Sequence, residues 1–422
     1  MADVLTDVLE DLRAAAGGEA RTATDGDVVD GVPARWVVRP HSTEETAAVV
    51  RAAAAHGLTV VPRGAGTKLT WGAAPESADV ILDTTGLDAV VEHAAGDLIC
   101  VVGAGRSLES LQSELAAAGQ RLGIDDRRGG TVGGAVATAA TGPMRLHHGS
   151  VRDLVIGMTL VRADGVIAHA GGKVVKNVAG YDLGKLLTGS YGTLGVITEV
   201  AFRLHPVPAA RRWVSVDLDS PAAVQERVLA VTHAQFVPSA VELDRSGDRS
   251  GGATLSLLLE GVPPGVEQRT AQALELLGPG ATSSQEAPQW WGSEPRGEAG
   301  VLVKVTHEIA GLSALLAALD TAAASAGVTA VLRGSPVVGT ALVALDPRDG
   351  DLSAEALAAF VAGLRSAQYQ FGGSVVVLEA PPTLKEGLDV WGPVGGLELM
   401  RAVKARFDPE RRLAPGRFVG GI

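Results

Sequence analysis

The stretch VPRGAGTKLTWG, Val61 to Gly72, sets three glycines around a threonine and a lysine. Glycine opens positive φ to the backbone and lets another group come up against the amides. A loop this bare reads as a tight turn, a phosphate cradle or a dinucleotide fingerprint, and each makes its own demand on the flanks. A P-loop would end in Gly-Lys-Ser/Thr and open a helix; this loop does neither, and the dinucleotide fingerprint fails for want of the same helix. Upstream, HSTEETAAVVRAAAAHG reads as a helix, with Ser42 and Glu45 at capping-box spacing and Gly57 placed to end it. LTVVP then reads as a strand that runs straight into the loop.

Further along, VVGAGRSLESL has strand, Gly103, Gly105 and helix in the dinucleotide order but lacks the third glycine; its plainer reading is a strand-to-helix turn. A run of small residues follows, TVGGAVATAATG at Thr131 to Gly142, and DLVIGMTLVRADGVIAHAGG reads as a hairpin turning at Asp164-Gly165. TGSYGTLGVITEVAFRLHP supplies a third glycine cluster ahead of a strand. Singly, each cluster is more often a turn than a ligand site. Three within about 130 residues, each beside a strand pattern, point to amides converging on a diphosphate, which needs few basic side chains. Small residues at Ala135, Ala137 and Ala139 would let a flat ring system lie against backbone.

The totals agree with an α/β protein of two or three domains: 422 residues, 46% hydrophobic, 20% charged and only 4% aromatic. A formal charge of −12 without a long basic run argues against a nucleic-acid partner. The single cysteine, Cys100, excludes an internal disulfide framework and a cysteine-ligated iron–sulfur cluster held by this chain alone. Lying in a strand pattern, it reads as a small buried thiol. MADVLTDVLEDLRAAAGG is acidic where a signal peptide is basic, and no uncharged apolar run reaches the ~18 residues of a membrane span, so a cytoplasmic chain is expected. RWVVRP, DVILDT and DLICVVG read as strands and SLESLQSELAAAG as a helix ended by Gly119. HPVPAARR reads as an interdomain linker, with Arg211 and Arg212 as its solvated end. Beyond it, WVSVDLD, ATLSLLLEG and ALVALD alternate with helical patterns such as LSALLAALDTAAASAG, as in a second α+β domain with an antiparallel sheet. Thr282–Glu286 and GSEPRGEAG read as loops.

RGAGTKLTWG, TVGGAVATAATGPMRLHHGSVRDLVIG and KNVAGYDLGKLLTGSYGTLGVITEV resemble, in order and spacing, the FAD-binding domain of the vanillyl-alcohol oxidase/PCMH flavoprotein superfamily. The last block approaches the GSEGTLGIIT signature of the 2-hydroxy-acid dehydrogenase branch, and the resemblance runs over roughly residues 35–205. The tail VWGPVGGLELMRAVKARFDPERRLAPGRFVGGI, with KNVAGYDL and SYG, is similar to the FAD-binding E subunits of bacterial glycolate oxidases. Ala414 stands where that tail pattern has asparagine, and Tyr191 where the dehydrogenases have glutamate.

The resemblance implies an α+β fold: a PCMH-type FAD-binding domain of two α+β subdomains, plus an α+β cap domain with an antiparallel sheet. The expected divisions are an N-terminal helical segment at 1–34, the FAD-binding domain at 35–210, the cap at 211–395 and a C-terminal segment, 396–422, returning to the FAD domain. By the same resemblance Arg63, Gly64, Ala65, Gly66 and Thr67 would wrap the pyrophosphate, and Thr131, Gly133, Gly134 and Ala135 would face it. Gly149 and Asp153 would lie near the flavin and its ribityl chain, and Gly192, Gly195 and Ile197 near the adenosine half. Covalent members often carry a histidine at the place of Thr67, so FAD here is expected to be held non-covalently. Lys68 reads equally as a solvated residue at the loop edge.

Oxidising a 2-hydroxy acid needs a base, cations for the carboxylate and a flavin to take the hydride. The histidine-rich metal motif of the full dehydrogenases is absent from the sequence, so no metal site is expected; His233 and His307 stand alone, and HEIAG lacks a second histidine. His147, His148 and Arg333 are the catalytic candidates, each with a plainer structural or surface reading beside it. Lys176 and Tyr181 of KNVAGYDL are flavin-pocket candidates, and Trp290-Trp291 marks either a subunit contact or a cap-edge plug. The resemblance implies a glycolate oxidase subunit acting on a small 2-hydroxy acid. It would work beside a sister FAD subunit of the D type and an iron–sulfur F-type subunit, with any membrane contact made through those partners. The alternatives are a stand-alone FAD oxidase or dehydrogenase of another alcohol or hydroxy acid, and a flavin-binding assembly subunit without turnover.

Overall fold

The computed structural model describes residues 2–125, 128–173, 182–246 and 252–422; Lys176 and Tyr181 lie outside these. The described chain forms two units. One comprises the residues up to Thr141, Gly149–Val207 and Pro393–Ile422; the other comprises Gly142–His148 and Pro208–Gly392.

The first unit holds two sheets. A four-stranded sheet runs in the order Ala20–Thr22, Trp36–Val38, Val80–Asp83, Val60–Arg63, parallel except for its first pair. The helix Thr43–Ala55 begins where the capping pattern predicts, with Ser42 Oγ accepting from the Glu45 amide at 3.0 Å. Glu45 completes only half of the box, since its carboxylate takes the His41 amide, at 2.7 Å, instead of that of Ser42. The helix buries Ala47, Val50 and Ala53 in a core shared with Trp36, Val60, Val80 and Leu82. The second sheet is antiparallel, in the order Ile167–Gly171, Val155–Val161, Val196–Arg203, Ile99–Gly103, Val90–Ala94. The predicted hairpin is there, with Val161 opposite Ile167 and Gly165 at φ +74° in its turn.

Gly103 and Gly105 have a structural cause of their own. A Cβ on either would collide with backbone, the Leu87 carbonyl in one case and the Thr84 carbonyl in the other. The strand-to-helix reading holds: Ser107 caps the helix Leu108–Ala117.

The second unit is built on an eight-stranded sheet, antiparallel at every pairing. Its order is Thr282–Ser284, Ala210–Leu218, Ala253–Gly261, Ala240–Arg245, Val328–Ser335, Thr340–Pro347, Val301–Thr306, Val375–Glu379. Helices Pro263–Leu277, Pro221–Thr232, Leu312–Ser325 and Ala354–Tyr369 pack side by side in one layer. Alternate residues such as Val303 and Val305, or Leu255, Leu257 and Leu259, are fully buried.

Two local expectations are corrected. Thr282–Ser284 pairs with Trp213–Ser215 as an edge strand rather than forming a loop. Arg211 and Arg212 lie inside the strand Ala210–Leu218, where Arg211 stacks over Trp213 at 5.4 Å, so the break between units falls at Val207/Pro208. Among the described residues no helix is long and apolar enough to cross a membrane.

Candidate functional site

The strand Val60–Arg63 delivers the opening loop to a cavity in the first unit. The cavity encloses about 770 Å³, open solvent at its mouth included. All three glycine clusters reach it. Arg63 to Leu69 form one wall, Gly130, Thr131, Gly133, Gly134, Ala137 and Thr138 a second, and Tyr191, Gly192, Gly195 and Ile197 a third, with Thr84 and Arg417 between them.

The first wall is suited to an anion. The amides of Gly64, Ala65, Gly66 and Thr67 have no hydrogen-bond partner within the protein among the described residues. Consecutive free amides make an anion-binding concavity without a formal charge. The Arg63 side chain is engaged elsewhere: it donates to Asp27 Oδ1 at 3.1 Å and Asp83 Oδ2 at 2.9 Å. Hydrogen bonds from Arg21, and with less weight from Thr24 and Arg63, hold the Asp27 carboxyl far below the usual carboxylate range against the opposing effect of burial. Arg63 therefore offers the cavity its backbone and stem rather than a free cation.

The second wall is the short helix Val132–Ala137, capped by Thr131, whose Oγ1 accepts from the Gly134 amide at 3.2 Å. Gly64 is bare because Thr131 comes in against it: a Cβ there would overlap Thr131 Oγ1 and lie 3.2 Å from its Cβ and Cγ2. Gly133 leaves room for Ala104 in the same way. On the third wall Tyr191, not a glycine, adopts φ +55°, a conformation side chains disfavour and one concentrated at functional sites. Burial pushes its phenol pKa up, so it stays protonated.

The structure thus gathers Arg63, Gly64, Ala65, Gly66, Thr67, Thr131, Gly133, Gly134, Gly192, Gly195 and Ile197 around one space. Three expected cofactor residues are off its wall. Ala135 is fully buried in the core, which removes its side chain as a surface for a ring. Gly149 stands at φ +82°, and Asp153 accepts from the Ser150 amide at 2.8 Å and the Ser150 hydroxyl at 2.7 Å, closing the capping box of Val151–Leu154 from inside the helix. Those Ser150 bonds lower the Asp153 pKa.

His147, His148 and Arg333 belong to the second unit. The two imidazoles meet edge to face at 4.7 Å on the helix Arg145–His148, which packs against Ala240–Arg245. Arg333 is tied inward, donating to Asp244 Oδ1 at 2.6 Å and to Ser293 Oγ at 2.5 Å beneath Trp290. Its charge is already matched by a carboxylate. Trp291 packs on Trp213 and Met144 within the same unit. His233 ends a helix, and the buried His307 donates from Nδ1 to the Glu308 carbonyl at 2.8 Å. Among the described residues there is no group of His, Cys, Asp and Glu side chains arranged to hold a metal.

Two features went unread in the sequence. Arg417 lines the cavity from the tail, where the PGR triplet was a visible but unassigned signal. Lys304 lies between Val303 and Val305 on the strand next to the sheet's Val375–Glu379 edge, facing away from the core, and its ammonium has no partner among the described residues. Burial lowers its pKa, and the nearby Arg145 lowers it further.

Residues 34–171 match the family described as FAD binding domain, and residues 389–418 match the C-terminal domain of FAD linked oxidases. Residues 34–171 are thus similar to an FAD-binding domain. That domain contains the first two walls of the cavity, and the second match contains Arg417. Its curated relatives include a D-lactate dehydrogenase of Archaeoglobus fulgidus, 39% identical over 40% of this chain and 38% of that protein. Glycolate oxidase subunit GlcD of Bacillus subtilis is 30% identical over 49% of this chain and 44% of its own length. Glycolate oxidase subunit GlcE of Escherichia coli is 35% identical over 48% and 54%. The match thus spans about half or less of each of these relatives. Alkyldihydroxyacetonephosphate synthase, in two crystal forms, superposes with TM-scores of 0.68 and 0.66 over 91% and 90% of this chain and 76% of that one, at 18% and 17% identity. The FAD-binding domain and the antiparallel second unit together therefore have the PCMH-type α+β fold.

Proposed function

We propose that this chain holds FAD non-covalently, with the diphosphate on the Gly64–Thr67 amides, and takes part in oxidising a small 2-hydroxy acid such as glycolate or D-lactate. The observation that carries the reading is the row of four unpartnered amides against a cavity in an FAD-binding domain. Thr67 stands in that row, and a threonine cannot form the flavin bond that a histidine makes. When bound, FAD supplies a two-electron acceptor for the hydride leaving C2 of the acid. The residues of this chain contribute binding: the Gly64–Thr67 amides hold the diphosphate with the Thr131 hydroxyl facing them, while Gly192, Gly195 and Ile197 border the remainder. In the second unit Lys304, with Arg145 near it, supplies unneutralised positive charge suited to a carboxylate.

The finer reading is an E-type flavin subunit working with a D-type sister and an iron–sulfur F-type partner. The likeness to GlcE supports it, and so does the single cysteine, which leaves any cluster to another chain. The likeness to D-lactate dehydrogenase favours a self-sufficient enzyme as the second reading. Titration of the purified chain with FAD tests the first claim: a colourless protein that leaves flavin fluorescence unchanged refutes it. Glycolate- and D-lactate-dependent dye reduction, measured on the chain alone and on a co-purified assembly, separates the two finer readings.

A further inference from the structure

The loop that carries the free amides is held largely from outside itself. Arg128 donates to the Thr67 carbonyl at 3.2 Å. The loop's far end is held from the tail: Arg417 Nη1 donates to the Leu69 carbonyl and Nη2 to the Trp71 carbonyl, both at 2.9 Å. Arg417 is 3% exposed and borders the cavity, with no carboxylate at ion-pair distance among the described residues. A buried guanidinium bonded only to carbonyls is a shaping device, since its planar fork fixes the separation of the two acceptors.

The tail is anchored on both sides of this arginine's reach. Leu413 lies alongside Val60, whose amide donates to the Arg412 carbonyl at 2.8 Å and whose carbonyl accepts from the Ala414 amide at 2.9 Å. Val60 opens the strand that feeds the loop. Lys404, 4% exposed, donates to Asp408 Oδ2 at 2.7 Å, the Thr193 carbonyl at 2.8 Å and the Leu413 carbonyl at 2.9 Å. Thr193 follows Tyr191 and Gly192 of the third wall. The tail is thus bonded to two walls of the cavity at once.

We infer that the tail is a working part of the cofactor cradle, with Arg417 the positioning residue that sets the Gly64–Thr67 amides for a diphosphate, resting as this does on the FAD reading above. Without the fork, the Leu69 and Trp71 carbonyls must find other donors, and the loop that satisfies them moves its amides. The loss is felt by the ligand rather than by the sheet.

The test compares wild type with Arg417→Ala, Arg417→Lys and, as a control in the same tail, Arg411→Ala, which removes an exposed pair with Glu76. FAD affinity is read by flavin fluorescence quenching, and apoprotein stability by thermal unfolding. Arg417→Ala is expected to weaken FAD binding by about 10- to 100-fold, the usual effect of removing a residue that orients a site. Arg417→Lys falls between, because one ammonium cannot span both carbonyls. Added guanidinium chloride, at concentrations that leave wild type folded, restores part of the affinity of Arg417→Ala, which a general loss of stability would not allow. Arg411→Ala stays within about two-fold of wild type. If Arg417→Ala does not fold, Arg417→Lys decides. FAD affinity equal to wild type in whichever variant folds overturns the inference. A wild-type chain that fails to bind FAD instead overturns the reading beneath it.

Discussion

Replacing Gly64 by alanine adds one methyl at the place where two walls of the cavity touch. Gly64 is not among the residues with positive φ, so the backbone tolerates a side chain and only crowding is at stake. The new Cβ would overlap Thr131 Oγ1, which caps the helix Val132–Ala137 through the Gly134 amide at 3.2 Å. Pushing that hydroxyl aside forfeits a cap worth about 1 kcal/mol. Forcing a methyl into packed surroundings adds about 1–3 kcal/mol. The cavity side of the loop is open, so the apoprotein relieves the strain by letting the loop swing outward. The cost returns when FAD requires the amides back. A total of about 2–4 kcal/mol corresponds to FAD binding weakened about 30- to 800-fold. The assay is flavin fluorescence titration on Gly64→Ala, Thr131→Ala and the double variant. Thr131→Ala removes the colliding oxygen and leaves the Thr131 Cβ, 3.2 Å away, as the nearest atom of that residue. The double variant should therefore bind FAD better than Gly64→Ala alone, a coupling opposite in sign to simple addition. Wild-type affinity in Gly64→Ala, or strictly additive losses in the pair, refutes the reasoning.

Lys404→Met strands Asp408, which is fully buried but keeps the amides of Arg412 and Leu413 as donors. The loss should sit at the low end for a broken buried pair, about 3 kcal/mol, or roughly 6–12 °C in the unfolding midpoint; a fall below about 2 °C argues against it. Burial pushes the Cys100 thiol up to about 11, so the native chain should not react with a thiol reagent at pH 8 and should do so after denaturation; prompt native labelling contradicts the burial. Lys304→Met should raise KM for the hydroxy acid about 10- to 100-fold with little change in kcat. Because burial lowers the Lys304 pKa, its charge is lost as pH rises through a value below that of an ordinary lysine. The wild-type KM should therefore climb early on the alkaline side, and that climb should vanish in Lys304→Met; matching pH profiles sink the assignment.

Local signals with a single physical cause were legible in the sequence. Ser42 and Gly57 bracket their helix, Asp164-Gly165 turns its hairpin, and the three glycine clusters do meet. What stayed hidden depends on what comes near from a distance. The spacing around Gly103 imitates a phosphate turn until the carbonyls of Thr84 and Leu87 are seen pressing on it. Arg63 reads as one of the residues wrapping the pyrophosphate, and only the structure shows its side chain held by Asp27 and Asp83. Arg333 looks available until Asp244, 89 residues away, is seen to hold it. Ala135 sits one residue past Gly134, and helical geometry turns it from the cavity into the core. The PGR triplet marks Arg417 without naming its partners, and Lys304 left no local pattern, since both carry meaning only through distant neighbours.

Arg417 bonds to carbonyls 348 and 346 positions before it. On a ribosome working at about 5–20 residues per second, the interval between making those two ends is roughly 17–70 s. Throughout it the strand Val60–Arg63 has an uncovered outer rim, and the carbonyls of Leu69 and Trp71 lack their fork. Coenzyme loading accordingly belongs after synthesis and not during it, and a message cut short near its 3′ end would yield a chain that has every residue of the loop but lacks the tail's fork on Leu69 and Trp71.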